Sequence, residues 1–201
     1  MTTTTRGTEL ESVNVILSTI GESPLNSLSG SLPVDGTVAK NVLSEISREV
    51  QSSGWHFNTH YKSKLTRDTN NKIPVATNVV RVELDPNLVS KADYDLVQRD
   101  GFLFNMAKDT DIFDRNFEDV TQVYLLPFNE IPEQAKRYIT IRSARVFHDR
   151  TLGANTLHKF SQEDEKQALS ILRNAEARTG DFTIFDTPEQ IYTIARNNRG
   201  Y

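Results

Sequence analysis

Histidine and acidic side chains are the residues of this 201-residue chain that could first be suspected of chemistry. His56 and His60 stand four residues apart, a spacing at which both can lie on one face of a strand and approach a metal ion. A zinc site needs further ligands, and no HExxH pattern supplies them. We interpret this pair as the polar face of an edge strand, and His148 and His158 as solvent-facing or capping side chains. No metal site is predicted.

Two acidic groups resemble functional clusters at first sight. Asp109, Asp111 and Asp114 suggest the start of a calcium loop, but the glycine and the terminal glutamate of an EF-hand do not follow at the required offsets. We interpret these three as turn residues. The run 163–165, Glu-Asp-Glu, points around a helix and cannot bring two carboxylates to one bond. We therefore expect a solvated helix start there and no catalytic residue.

Motifs for covalent or nucleotide-dependent catalysis are also missing from the sequence. It contains no cysteine, which excludes a disulfide, a thiolate metal site and a cysteine nucleophile. The GxSxG, GxGxxG and GxxxxGK[ST] patterns do not occur either. These observations predict a protein that is not an enzyme and binds no cofactor.

The overall charge gives little support for binding to nucleic acid or membranes. The net charge is -4 and the sequence pI is near 5.6, so a uniformly basic surface that would grip phosphates is missing. The apolar runs are far shorter than the ~20 residues that cross a bilayer. The first residues, MTTTTRGTE, lack the apolar stretch of a secretory signal, so we expect the protein to remain where it is made.

Apolar residues at three- and four-residue steps predict two helices in the first quarter of the chain. The first covers Glu9 to Ile20, with Thr8 as its N-cap and Gly21 at its end. The second covers Val38 to Ser53 and ends at Gly54. Their apolar stripes predict an antiparallel pair.

The middle third alternates with a period of two and predicts an antiparallel sheet of about five strands. Its expected strands cover residues 55–61, 80–84, 94–98, 102–105 and 120–126. Asp100 and Gly101 form the signal of a two-residue hairpin turn between the third and fourth strands.

The helical period returns at Ile131. A long helix is predicted from Pro132 to about Gly153, and another from Asn155 to Gly180. The fold class expected is α+β, an antiparallel four-helix bundle interrupted by a small antiparallel β-sheet domain. The predicted parts are a flexible N-terminal arm (1–8), the helical bundle domain (9–54 with 131–180), the inserted β domain (55–130) and a C-terminal tail (181–201).

The tail carries the only predicted partner-binding residues. It has more apolar residues than a linker that makes no contacts would need, and their spacing does not follow a helical period. Two arginines follow them. Such a segment suits binding in a groove of a partner. The residues are Phe182, Ile184, Phe185, Ile191, Tyr192, Ile194, Arg196 and Arg199.

Three blocks of the sequence resemble tail tubular protein A of short-tailed bacteriophages. Residues 9–24, ELESVNVILSTIGESP, are similar to that family's opening pattern V-N-x-I-L-x-x-I-G-E-x-P. Residues 42–58 resemble its helix followed by G-W-x-F-N, and residues 130–145 resemble its central helix. The β region is similar mainly in the D-G-F-L-F hairpin at residues 100–104.

The resemblance implies a structural virion protein of the phage tail. It implies a homo-oligomeric ring, twelvefold in this family, that connects the portal protein to the tail nozzle protein, tail tubular protein B, and lines a channel for genome ejection. Tail fibres are a further candidate partner, and double-stranded DNA would pass through without specific binding. The protein would be found in the virion tail and, during assembly, in the host cytoplasm.

Two other functions are compatible with a phage tail protein. A glycan or peptidoglycan hydrolase would need two carboxylates ~5 to 10 Å apart across a cleft, and no such pair is evident. A DNA-packaging accessory protein would need a basic face, which the order of charges does not provide. Turnover of a glycan would reveal the first, and a steeply salt-dependent DNA affinity the second.

Overall fold

The computed structural model describes residues 7–85, 90, 92–153 and 155–179. In the last helix, which starts at residue 155, the side chains are described from residue 162 onward. Helices and strands are both present, so the α+β class is confirmed. None of the described helices is long and apolar enough to span a membrane. The helices are α1 (Glu9–Ser18), α2 (Val34–Ser52), α3 (Glu133–Thr151) and α4 (Asn155–Thr179). The strands are β1 (Thr59–Leu65), β2 (Val79–Leu84), β3 (Leu96–Arg99), β4 (Phe102–Asn105) and β5 (Phe117–Tyr124).

Helix α1 begins where its capping residues predict. The Thr8 hydroxyl accepts a hydrogen bond from the Glu11 amide, and the Glu11 carboxylate accepts one from the Thr8 amide. This reciprocal pair satisfies two amides that a helix start leaves without partners. Gly21 follows the helix with φ +79°, the left-handed conformation expected of it.

Helix α2 begins four residues earlier than predicted. Pro33 stands at its N-cap, and Gly36, which the sequence assigned to a loop, lies inside the first turns. A Cβ on Gly36 would lie 2.9 Å from Cδ1 of Leu25, so the glycine allows the preceding loop to pack closely against the helix. Glycine is needed here for close packing inside a helix. The local sequence pattern does not distinguish such a glycine from one in a turn.

Helix α3 is the centre of the helical part. It packs against α1, α2 and α4, and nine of its 19 residues are buried. Ion pairs from Glu49 to Arg142 and from Glu45 to Arg150 show that α2 and α3 run antiparallel. Helices α2 and α4 both contact α3 but make little contact with each other in the described residues. The closed four-helix bundle predicted from the sequence is not confirmed by these contacts.

The strands form two small antiparallel sheets instead of the one that was predicted. One has the order β1-β5-β2, and the other pairs β3 with β4. The predicted hairpin turn is confirmed, because Asp100 and Gly101 adopt φ +50° and +79° between β3 and β4. β4 is flanked on its other side by a bridge between Pro74 and Phe102 instead of a further strand.

The strand predicted to start at Trp55 starts at Thr59. Residues His56–Asn58 form a short 3₁₀ turn, so Trp55 and Phe57 are not on a strand. The alternation of large and polar residues suggested a strand, but the side chain of Asn58 bonds to the backbone and holds a turn there.

Buried apolar residues form two clusters. One lies among the helices and includes Ile16, Leu43, Ile139 and Leu172. The other lies between the two sheets and includes Leu103, Phe113, Phe117 and Val120. The segment from Gly54 to Asn58 joins α2 to β1 and therefore lies where the helices meet the sheets.

Candidate assembly site

Asn58 connects helix α2 to the central strand of the sheet. Its side chain is fully buried, and its Nδ2 donates to the carbonyl oxygens of Gln51 at 2.8 Å and Tyr124 at 2.7 Å. Its Oδ1 accepts a hydrogen bond from the Trp55 amide at 2.8 Å. One side-chain amide thus bonds to the end of α2, the end of β5 and the turn that leads from α2 to β1.

Gln51 forms a second connection between the same elements. Its Oε1 accepts from the Leu126 amide at 2.8 Å, and its Nε2 donates to the Leu126 carbonyl at 3.1 Å and to the Ser47 hydroxyl at 3.0 Å. Because this side chain is only 2% exposed, the bonds replace water that cannot reach it. Gln51 and Asn58 together hold the sheet in one orientation on the helices.

The Gly54-Trp55-His56 segment completes this junction. Gly54 has φ +77°, a backbone conformation that favours glycine. Trp55 Nε1 donates to the Val50 carbonyl at 2.7 Å, which fixes the indole against the end of α2. The His56 amide donates to the Glu176 carboxylate of α4 at 2.5 Å. The junction therefore contacts α2, β5 and α4.

A network of charges lies between α3 and its neighbours. Arg142 donates to Glu49 on α2 at 2.5 Å and to the Tyr138 hydroxyl at 2.9 Å. Arg145 bonds to the Glu165 carboxylate on α4, and this hydrogen bond raises the pKa of the Arg145 guanidinium above its usual value. These half-buried pairs fix the positions of α2 and α4 relative to α3.

A cleft of about 360 Å³ opens between α2 and α4. Tyr138 and Arg142 of α3 contribute to its lining from between these two helices, and Trp55 of the junction contributes an aromatic surface. In the described part of the chain, Arg173 of α4 forms no ion pair, so its charge is available to a binding partner. The lining residues are Glu49, Val50, Ser53, Trp55, Tyr138, Arg142, Leu169 and Arg173.

The histidines are placed in separate environments. His60 lies on β1 with its ring 4.6 Å from that of Tyr124, whereas His56 belongs to the 3₁₀ turn. His148 is buried on α3, so the solvent-facing or capping role predicted for it is wrong. The side chain of His158 lies outside the described residues. Within the described chain, no three histidine or acidic residues come together as a metal site would require.

The acidic residues that the sequence singled out take part in local contacts. Asp111 pairs with Lys72 at 2.5 Å, and Asp114 accepts a hydrogen bond from the Tyr94 hydroxyl at 2.5 Å. Both contacts hold the loop before β5, in agreement with their interpretation as turn residues. Glu165 lies inside α4, its side chain is only 14% exposed, and it pairs with Arg145 and Arg142 of α3, so the solvated helix start predicted for it is wrong.

The predicted partner-binding residues cannot be placed relative to the cleft. All of them, from Phe182 to Arg199, lie outside the described residues. The described site therefore consists of the junction and the cleft. Polar side chains beside the apolar stripes of α2 and α3 were the available signal: Gln51 is buried and Arg142 is half-buried.

Comparison with known proteins gives the family of this chain. A family model described as tail tubular protein matches residues 10–182. The chain belongs to the tail tubular protein family. A curated relative, tail tubular protein A of Klebsiella phage KP34, is 26% identical over 166 residues, which cover 82% of this chain and 85% of that protein.

Membership of the tail tubular protein family makes the chain a structural component of a bacteriophage tail that acts in an oligomeric assembly. The described residues give the Gly54–Asn58 block a physical role within this tail protein. It joins helices and sheet through buried hydrogen bonds, so each subunit can present its surfaces in a defined geometry. Defined geometry is what a symmetric assembly requires of each subunit.

Proposed function

We propose that this tail tubular protein is a ring-forming adaptor that connects the portal protein to the tail nozzle protein, tail tubular protein B. The family match over residues 10–182 is the observation that carries the proposal. The ring would be a homo-oligomer, twelvefold as the family resemblance implies, and it would line part of the channel through which the genome is ejected. Tail fibres are a further candidate partner.

The charge of the chain suits a channel that DNA passes through. A net charge of -4 per subunit gives no general attraction for phosphate, so double-stranded DNA would slide past without specific binding. Ring closure lets each subunit use two moderate interfaces, and together these give a stable assembly. The subunit would assemble in the host cytoplasm and remain in the virion tail.

We further propose a division of labour within the chain. A four-helix bundle domain, residues 9–54 with 131–180, would support an inserted β domain, residues 55–130, while residues 1–8 form a flexible arm. The tail, residues 181–201, would bind neighbouring subunits or the portal. Its apolar residues and Arg196 and Arg199 supply the groups for such contacts. Their burial would offset the entropy lost when the segment becomes ordered.

Electron microscopy of the purified protein mixed with its portal tests the proposal. We expect rings seated on the portal. A variant truncated after Gly180 should retain its melting transition but attach to the portal more weakly, whereas an N-terminal deletion of residues 1–5 serves as the control and should attach normally. Monomers that never associate with the portal would contradict the adaptor function. If the truncated variant attaches to the portal as strongly as the full-length protein, the tail does not contribute to portal binding.

A further inference from the structure

The cleft between α2 and α4 combines an apolar and aromatic wall with positive charge. Trp55 and Leu169 are both only partly buried, so their apolar surfaces remain partly accessible. Arg142 and Arg173 outnumber Glu49, the one acidic residue of the lining. Glu49 is already paired with Arg142, which leaves the charge of Arg173 uncompensated within the described chain. A ligand that matches this surface has aromatic or aliphatic groups next to carboxylates.

The sequence directly after α4 has this composition. Residues 181–186 read Asp-Phe-Thr-Ile-Phe-Asp, with two aromatic residues and one isoleucine between two carboxylates. Residues 187–193 carry one acid, Glu189, and residues 194–199 carry two arginines and no acid. Within the tail, two carboxylates that flank two aromatic residues occur only at its beginning.

Chain length also permits the contact within one subunit. Arg173 and Leu169 precede Thr179, the last residue of α4, by six and ten positions. At ~1.5 Å per residue the cleft residues lie ~9 to 15 Å from the end of the helix. Six extended residues span ~20 Å, so the segment can reach the cleft once the chain reverses direction. Gly180, directly after the helix, is suited to such a reversal.

We infer that residues 181–186 of the same chain dock in the cleft between α2 and α4. Phe182 or Phe185 packs on Trp55 and Leu169, and a carboxylate of Asp181 or Asp186 pairs with Arg173. Short connection to α4 gives the segment a high effective concentration at its own cleft, which favours docking within the subunit over exchange with a second copy. The biological role of this contact rests on the proposed function. In that role, residues 181–186 anchor the start of the tail to its own subunit, and the residues from Ile191 onward extend toward partners.

Trp55 provides a direct probe, because it is the only tryptophan of the chain. We would measure acrylamide quenching and the emission maximum of Trp55 in the full-length isolated subunit. The double variant Phe182→Ser and Phe185→Ser should increase quenching and shift the emission to longer wavelength. The control with Ile191→Ser and Tyr192→Ser changes the same kinds of residue farther along the tail, and it should behave as the unmodified protein does.

Charge reversal tests the ionic contact separately. Arg173→Glu should also expose Trp55, whereas Arg178→Glu, on the same helix but outside the cleft, should not. Adding Asp181→Arg and Asp186→Arg to the Arg173→Glu variant should restore protection. Thermal melting followed by circular dichroism identifies any variant that fails to fold. Because the aromatic and the charge variants test the docking independently, one of them can still be interpreted if the other does not fold.

Three outcomes would overturn the inference. Quenching that is unchanged in both the aromatic and the Arg173→Glu variants would show that the segment does not cover Trp55. If Trp55 becomes equally exposed in the Ile191 and Tyr192 control, the beginning of the tail is not the segment that specifically covers Trp55. Protection that disappears on dilution would assign the contact to a second copy. None of these measurements involves the portal, so a failure here and a failure of the adaptor function can be distinguished.

Discussion

At the scale of single residues, Asn58 has the clearest structural role. It occupies a fully buried position and bonds to three backbone groups from three parts of the chain. A buried side-chain amide costs free energy unless its hydrogen bonds are made, and here its oxygen and its nitrogen both have backbone partners. The residue therefore contributes to the stability of the junction through all three bonds at once.

Replacing Asn58 with alanine should lower the free energy of unfolding by roughly 3 kcal/mol, because the Trp55 amide and the Gln51 and Tyr124 carbonyls each lose a buried hydrogen bond. Urea denaturation measures this change. Asn41→Ala is the matched control, since Asn41 is exposed on α2, and it should change stability by less than ~0.5 kcal/mol. Equal effects of the two substitutions would show that the junction does not contribute as described.

Asp111 and Asp114 should make the β region sensitive to acid. Hydrogen bonds from Lys72 to Asp111 and from Tyr94 to Asp114 lower the pKa of each carboxyl below its usual value. A lowered folded-state pKa means that the stabilisation is complete above the unfolded value of 3.8 and is lost as the pH falls through the folded values.

NMR titration of the carboxyl groups should find both folded-state pKa values below 3.8. Asp114→Asn should reduce the acid dependence of the unfolding midpoint, because one linked proton is removed. Exposed Asp100, at the hairpin turn, provides the control position and should leave this dependence unchanged when replaced with asparagine. Titration of Asp111 and Asp114 at or above 3.8 would contradict the assignment.

At the scale of the elements, α3 has a composition that contrasts with its position. Central helices are expected to be apolar around most of their surface, yet α3 carries arginine, lysine, serine and threonine at buried or half-buried positions. Three of these side chains bond to other helices: the Thr140 and Ser12 hydroxyls share a hydrogen bond between α3 and α1, Arg142 donates to Glu49 on α2, and Arg145 donates to Glu165 on α4. Helix α3 thus fixes its three neighbours by direction-dependent contacts as well as by apolar packing.

Ile139→Asp should prevent cooperative folding, because Ile139 is fully buried on α3 and an unpaired charge there costs several kcal/mol. Ile171→Asp on α4 is the matched control. Ile171 is 42% exposed, so this substitution should be tolerated. Thermal melting by circular dichroism compares the two. A melting temperature for Ile139→Asp equal to that of the unmodified protein would contradict the central position of α3.

At the scale of the whole molecule, the family and the described site agree on a structural function. The polar groups of the junction and of the α3 network are engaged with one another, and hydrogen bonds and ion pairs of this kind hold a shape. We expect that the purified protein releases no sugars or peptides from bacterial envelope material above a heat-treated control. Reproducible turnover that a single Asp or Glu substitution abolishes would contradict a purely structural function.

The sequence by itself determined the helices, the hairpin and the family. A sequence pattern identifies an element when the conformational preferences of its residues match the structure that burial favours. This holds for α1 with its Thr8 cap and for the hairpin turn at Asp100 and Gly101. Three sequence blocks were sufficient for the resemblance, and the comparisons confirm it. These features depend on residues close together in the chain, which is why one sequence was enough to predict them.

Only the tertiary structure decided the junction, the charge network and the cleft. Gln51 and Leu126 are 75 positions apart, Arg142 and Glu49 are 93, and His56 and Glu176 are 120. No local pattern records such pairs, because the partner of a buried polar group is set by how helices and strands pack and not by its neighbours in sequence. The strand predicted at Trp55 failed for the same reason: the buried amide of Asn58, held by Gln51 and Tyr124, keeps that segment in a turn.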